Sequence, residues 1–260
     1  MAGAPVGAKE QRLAGGGEGM AGGGDRPVLV IGAGGLGCSV LPLLAAADVP
    51  ILLLDDDVVS LSNLQRQLLF RTADVGRPKV EAAAARLMEM NPGLRIEART
   101  GRLDTDDALE LVGGARLVLD GTDNFATRFL ANDACVLTGT PLVHGAILRF
   151  TGQVLTVRPG HGGCYRCLFE APPPEGSVPS CAEAGVLGAL CGMVGSWMAE
   201  AAMRLLAGEE PAPGLLVHDA FDGRSRRIAL PRDPACAVCG DAPTGRRLDP
   251  SHYVAPSCAA

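Results

Sequence analysis

Apolar residues along this chain gather into short solid runs set apart by longer helical stretches. Val28-Leu29-Val30-Ile31, Ile51-Leu52-Leu53-Leu54 and Leu117-Val118-Leu119 each have the length of a strand. Strands are predicted at 27–31, 51–54, 94–99, 117–120, 141–144, 153–158, 214–219 and 224–230. Between them lie helical segments at 36–47, 105–112 and 124–138, and a Gly-containing apolar helix at 186–207. A further Ala-rich helix takes Pro78 as its first residue and stops at Asn91-Pro92. The alternation predicts an α/β fold: a Rossmann-like doubly wound sheet, parallel in its N-terminal half and continued by antiparallel strands.

The first strand leads directly into Gly32-Ala33-Gly34-Gly35-Leu36-Gly37, and the second ends in Asp55-Asp56-Asp57. Strand, glycine turn, helix, strand and acid, in that order, make a nucleotide-binding βαβ unit. Gly32 permits the tight turn, Gly34 lets a phosphate approach the backbone, and Gly37 lets helix and strand pack closely. Asp55 stands where a carboxylate accepts from ribose hydroxyls.

Composition narrows the class. The chain has 260 residues, 47% hydrophobic and 20% charged, enough for one large core. A net charge of −6 argues against non-specific nucleic-acid binding. The longest uncharged apolar stretch, Ala184 to Ala199, is short for a bilayer span, and the Gly/Ala-rich start carries no secretory h-region. A cytoplasmic protein with no membrane or nucleic-acid partner is expected. Residues 1–26 are expected to be a flexible Gly-rich tail, 27–240 the folded nucleotide-binding domain, and 241–260 a disordered tail.

Nine cysteines without an export signal point to metal or catalytic thiols rather than disulfides. Cys164-Tyr165-Arg166-Cys167 and Cys236-Ala237-Val238-Cys239 are two Cys-x-x-Cys knuckles, the pattern of one tetrahedral structural zinc. Between them runs a proline-rich loop ending at Cys181, just ahead of a helix whose N-terminus could lower a thiol pKa; a buried inert cysteine is the competing reading. His144, alone in an apolar strand, reads as a satisfied core residue.

The choice of nucleotide rests on polar residues after successive strands. Ser62 is a plausible helix cap, and Asn63, Arg66 and Gln67 would share one face of the short helix it starts. Lys79 falls in a helical first turn, where the dipole disfavours a cation but suits a phosphate that the cation helps to bind; an ordinary surface lysine is the competing reading. Asp123 lies beyond a strand's C-terminal end, where ligands bind in open α/β sheets, and capping of the next helix competes for it. A dehydrogenase has no use for such a clamp. Arg66, Lys79 and Asp123 suit a triphosphate and its magnesium, and no Walker-type loop is present.

These residues together resemble the MoeB/ThiF adenylyltransferases, relatives of ubiquitin-activating enzymes. The resemblance is carried by Gly32 to Gly37, Asp55, Ser62 to Gln67, Gly76-x-Pro78-Lys79, Asn91-Pro92 and Asp120-x-x-Asp123-Asn124. Gly152-Gln153, both knuckles, Cys181-x-Glu183-Ala184-Gly185-Val186 and His218-Asp219-Ala220 extend it over roughly 27–240. It implies ATP as cofactor: Asp55 would hold the ribose hydroxyls, Gly35 would contact the nucleotide with Ser62 and Asn124 beside it, Asn63 and the catalytic Arg66 and Lys79 would orient and neutralise the phosphates, and Asp123 would bind magnesium and support attack at the α-phosphate. It further implies attack on the α-phosphate by the C-terminal carboxylate of a small ubiquitin-fold sulfur-carrier protein ending in Gly-Gly. The carrier would serve molybdopterin, thiamin, cysteine or tRNA thiolation. Cys181 matches a loop cysteine that bonds to the carrier or its sulfur in some relatives. A homodimer is implied, with a separate sulfur donor (a cysteine desulfurase or a rhodanese), since no rhodanese domain follows. One departure stands out: the family's Arg-Tyr-x-Arg-Gln segment is replaced by the Gly-rich tail, with Arg12 an uncertain substitute. A nicotinamide-dependent oxidoreductase and a non-catalytic scaffold for a ubiquitin-fold partner remain the alternatives.

Overall fold

The computed structural model describes residues 25–174, 185–212, 214–245 and 247–253. Its centre is an eight-stranded sheet in the order β3-β2-β1-β4-β5-β6-β7-β8. The strands are β1 (Val28–Ile31), β2 (Ile51–Asp55), β3 (Ile96–Thr100), β4 (Leu117–Asp120), β5 (Leu142–Leu148), β6 (Thr151–Val157), β7 (Leu215–Asp219) and β8 (Arg224–Ile228). Pairing is parallel from β3 through β5 and antiparallel from β5 through β8.

The solid apolar runs have a simple cause. Val28 and Val30 of β1 face one core, and Leu29 and Ile31 face the other, so every position in the strand is buried. A sheet covered on both faces leaves no site for the polar half of an alternating pattern. The first layer is α1 (Gly35–Ala46), α2 (Lys79–Met90) and α6 (Gly188–Leu206); the second holds α3 (Ala108–Gly114), α4 (Phe125–Thr138) and the short α5 (Tyr165–Leu168).

Local chemistry sets the helix ends. α2 buries Val80, Ala83, Ala84 and Leu87, one stripe at helical spacing. It stops at Asn91, whose amide donates to the Ala45 carbonyl at 3.0 Å, and Pro92 cannot continue it. α4 starts at Asn124, whose side chain accepts from the Thr127 N–H at 2.8 Å, and ends at Gly139 with φ of 75°, where a glycine carries no Cβ penalty. Gly195 brings α6 onto α1, because a Cβ there would meet the Ser39 side chain. Close packing therefore accounts for it; Gly192, by contrast, faces open space.

Two expectations need correction. Ser62 caps nothing: the segment is a 3-10 turn at Leu61–Asn63 with Ser60 at the capping position, and Ser62 Oγ lies 3.0 Å from Ser60 Oγ. The segment beyond 240 is also not disordered throughout. A 3-10 turn at Pro250–Tyr253 buries Tyr253, whose phenol reaches Asp133 Oδ2 at 3.1 Å. Asp133 is held by Arg166 at 2.7 to 2.9 Å, so a buried ion pair supplies the partner that an isolated polar tail lacks. Residues 1–24 lie outside the described residues. No described helix is long and apolar enough to cross a membrane.

Candidate functional site

The carboxyl ends of the parallel strands open onto a cleft of about 290 Å³. Its floor is the turn after β1. Gly32 adopts φ of 97°, which L side chains rarely adopt, and a methyl group on Gly37 would overlap the Gly32 carbonyl oxygen. The turn is thus closed by backbone packing, with the N-terminus of α1 facing the cleft. Asp55 ties it to β2, accepting from the Ala33 N–H at 2.6 Å through Oδ2 and from the Asp57 N–H at 2.8 Å through Oδ1. Burial raises the Asp55 pKa, and nearby Lys79 and these N–H donors pull it back only in part.

Most of the polar residues singled out in the sequence meet here. Gly32, Gly34, Gly35, Asp55, Asn63, Arg66, Lys79, Asp123 and Asn124 all line the cleft, whereas Gly37 lies beneath it and Ser62 does not reach it. Arg66 donates to Asn63 Oδ1 at 2.9 Å, which aims the guanidinium from the 3-10 turn, and no acid lies within ion-pair distance of it among the described residues. Lys79 is 4% exposed and its ammonium sits 2.7 Å from Asp57 Oδ2. Its main-chain N–H also bonds the Asp57 carbonyl at 2.9 Å, so α2 begins clamped to the end of β2.

The competition at Asp123 resolves through its neighbour. Asn124 supplies the helix cap, so the Asp123 carboxylate is exposed at the cleft with no hydrogen bond or ion pair among the described residues. Asn124 correspondingly has its side-chain oxygen committed to capping. Gln67 is 3% exposed and lines the cleft, and its Oε1 has no hydrogen-bond partner among the described residues. Buried polar atoms are seldom left so in a finished site.

The sequence reading passed over Arg102, Thr122, Arg128 and Cys191, which also line the cleft. Arg128 lies one helical turn beyond the Asn124 cap, the one signal that could have placed it near the ligand side of the sheet. A second groove of about 760 Å³ opens beside the first, lined by Phe125, His144, Phe150, Tyr165 and Phe221. The two share Asp123, Arg128, Ala146 and Ile147. His144 is a satisfied core residue, its Nδ1 2.9 Å from Asp120 Oδ2. Asp120 is held ionised below its usual range by His144, Arg128 and Thr122 against the cost of burial, while burial holds His144 neutral.

Apart from the cleft, the Sγ atoms of Cys164, Cys167, Cys236 and Cys239 lie within 4.8 Å of one another. Cys167 also accepts from the Asp233 N–H at 3.4 Å. Burial, and after it the neighbouring thiols, push the Cys164 pKa upward, and four cysteine sulfurs at this spacing match the ligand set of a tetrahedral divalent cation. Cys181 lies outside the described residues.

The ThiF family model matches residues 16–238. A sulfur carrier protein adenylyltransferase of Thermus thermophilus is 50% identical over 229 residues, 85% of this chain and 84% of that protein. The SAMP-activating enzyme E1 of Haloferax volcanii is 48% identical over 217 residues, 82% of this chain and 80% of that protein. Among solved structures, E. coli MccB crystallised with ATP superposes with a TM-score of 0.73 at 22% identity, over 84% of this chain and 67% of MccB, a likeness of fold. By the extent of the family match and by half-identity to a relative over most of both chains, this protein belongs to the ThiF family.

Proposed function

We propose that this protein adenylylates the C-terminal glycine carboxylate of a small ubiquitin-fold sulfur-carrier protein at the expense of ATP. The carrier carboxylate attacks the α-phosphorus, the bond to the β-phosphate oxygen breaks, and the products are the acyl adenylate and pyrophosphate. A carboxylate is a poor electrophile until one of its oxygens becomes a phosphate leaving group. Catalysis is then mostly a matter of holding negative charge in place.

The observation that carries this reading is the convergence of Asn63, Arg66, Lys79 and Asp123, from three separate segments, on the Gly34-Gly35 turn. In this reading the turn and Asp55 take the nucleoside, Asn63, Arg66 and Lys79 take the phosphates, and Asn124 is a cap rather than a ligand. A free carboxylate on the cleft wall is a suitable hard-oxygen ligand, so Asp123 would hold magnesium, which would neutralise phosphate charge when bound. The four-thiol cluster fits zinc, with every position closed and a structural role. The second groove, continuous with the first at Asp123, would receive the carrier's tail. Exposed Leu61 and Leu68, on the 3-10 turn and the segment after it, and Leu187 and Met193, around the start of α6, are suited to burial in a homodimer. The thiocarboxylate sulfur would come from a separate donor.

The test is ATP–pyrophosphate exchange with purified candidate carriers ending in Gly-Gly. Exchange should appear only with carrier present, and mass spectrometry should show the carrier adenylate. Absence of both with every candidate overturns the reading.

A further inference from the structure

Three side-chain amides line the nucleotide cleft, and two of them are already engaged. Asn63 accepts from Arg66 at 2.9 Å, and Asn124 caps α4. The third belongs to Gln67, which is buried and whose Oε1 has no hydrogen-bond partner among the described residues. Its main chain is nevertheless fixed. The Gln67 N–H donates to the Asn63 carbonyl at 3.0 Å, the Gln67 carbonyl accepts from the Phe70 N–H at 3.1 Å, and Leu69 and Phe70 are buried in the core. Backbone geometry therefore holds the amide at the cleft.

A buried amide oxygen without a partner destabilises a folded chain, and native structures seldom keep one. Its location supplies the reason. A methyl group on Gly34 would lie 3.9 Å from Gln67 Nε2, so the amide stands against the glycine turn. Gly34 is also the capping position of α1, and no side chain caps that helix. Free N–H groups at a helix N-terminus, with Arg66 and Lys79 on the same cleft, suit an anion. A carboxamide carries a donor and an acceptor in one plane, and rotation about its last torsion exchanges the group that faces the cleft. We infer that Gln67 donates a hydrogen bond from its amide nitrogen to a phosphate oxygen of the bound nucleotide, and that its unpaired amide is a stability cost retained for this contact. Being neutral, Gln67 orients the phosphate chain without adding to the charge of Arg66 and Lys79. A nucleoside without phosphates gains nothing from it. Resting on the nucleotide reading of the cleft, this role is independent of the carrier's identity.

The test uses the full-length protein with Gln67→Met, which keeps the length and removes the amide, and Gln67→Glu, which keeps the shape and adds a charge. Binding of ATP, inorganic tripolyphosphate and adenosine is measured by calorimetry without carrier, beside thermal unfolding without ligand. Gln67→Met should weaken ATP and tripolyphosphate by about ten- to a hundredfold and leave adenosine within about twofold. The same variant should melt about 2–4 °C higher, because the unpaired amide is gone. Gln67→Glu should weaken ATP further by repulsion and gain no stability. Unchanged ATP affinity in Gln67→Met overturns the inference, as does weakened adenosine with unchanged tripolyphosphate, which would place the amide on the nucleoside. A lower melting temperature in Gln67→Met overturns it too, since the amide would then be stabilising the fold. Wild type that binds no ATP overturns the nucleotide reading together with this role. A failed exchange assay with the binding pattern intact overturns adenylylation of the carrier and leaves Gln67 on the phosphate.

Discussion

Lys79→Met separates the two jobs a buried cation can have. Its ammonium is 4% exposed and pairs with Asp57, whose side chain is 63% exposed. When the cation goes, Asp57 is left beside water and its charge is hydrated, while partly buried Asp55 loses a cation that lowers its pKa. The ion pair then resembles a surface pair in its net worth, about 1 kcal/mol or less, and methionine retains the apolar stem of the lysine. For a chain of this size that is a Tm shift of about 2–4 °C. On the adenylylation reading, phosphates bound in the cleft would have no such recourse. Losing one preorganised charge aimed at a phosphate costs about 100- to 1000-fold in turnover. Carrier-dependent exchange of radiolabelled pyrophosphate, run beside thermal unfolding, reads both quantities on one preparation. A large melting shift with activity falling in proportion to folded protein would refute the reasoning, as would an unchanged response to ATP.

Three further outcomes follow from the structure. Gly37→Ala should abolish ATP binding and destabilise the fold, since its methyl group meets the Gly32 carbonyl, whereas Gly192→Ala, in open space on α6, should stabilise by about 0.5–1 kcal/mol; urea unfolding of the pair checks this contrast. Purified protein should carry one zinc per chain by elemental analysis, and chelation or Cys236→Ser should lower the melting temperature without changing nucleotide selectivity. Both members of the Asp120–His144 pair have folded-state pKa values below their unfolded ones, so the unfolded chain binds more protons and stability declines on acidification. The decline begins near about pH 6.5 through His144 and continues through Asp120 near about pH 3.9 and below. His144→Gln should flatten the first part of that profile in urea midpoints, and an unchanged slope would exclude the histidine as its source.

Much was legible before folding because it is local. A run such as Val28-Leu29-Val30-Ile31 has no polar position to turn outward, so burial on both faces is written in four residues. The glycine turn, the Asn91-Pro92 stop and the two cysteine knuckles are similarly short-range statements about φ, N–H donors and metal geometry. Ser62 shows the limit of such reasoning. A serine before polar residues has the chemistry of a cap, but the turn it entered was too short to need one. Tyr253 shows another: no neighbour in sequence says that Asp133, 120 positions away, is waiting for its phenol.

The amino-acid order alone therefore set the strands, the glycine turn and the cysteine knuckles, since each follows from torsional freedom and solvation within a few residues. Only the packed molecule decided which polar side chains share a space. It gave the capping duty to Asn124 and released Asp123, buried Lys79 against Asp57, and stood Arg128 between two grooves. Such assignments depend on distances between segments remote along the chain, and those distances exist only once both faces of the sheet are covered.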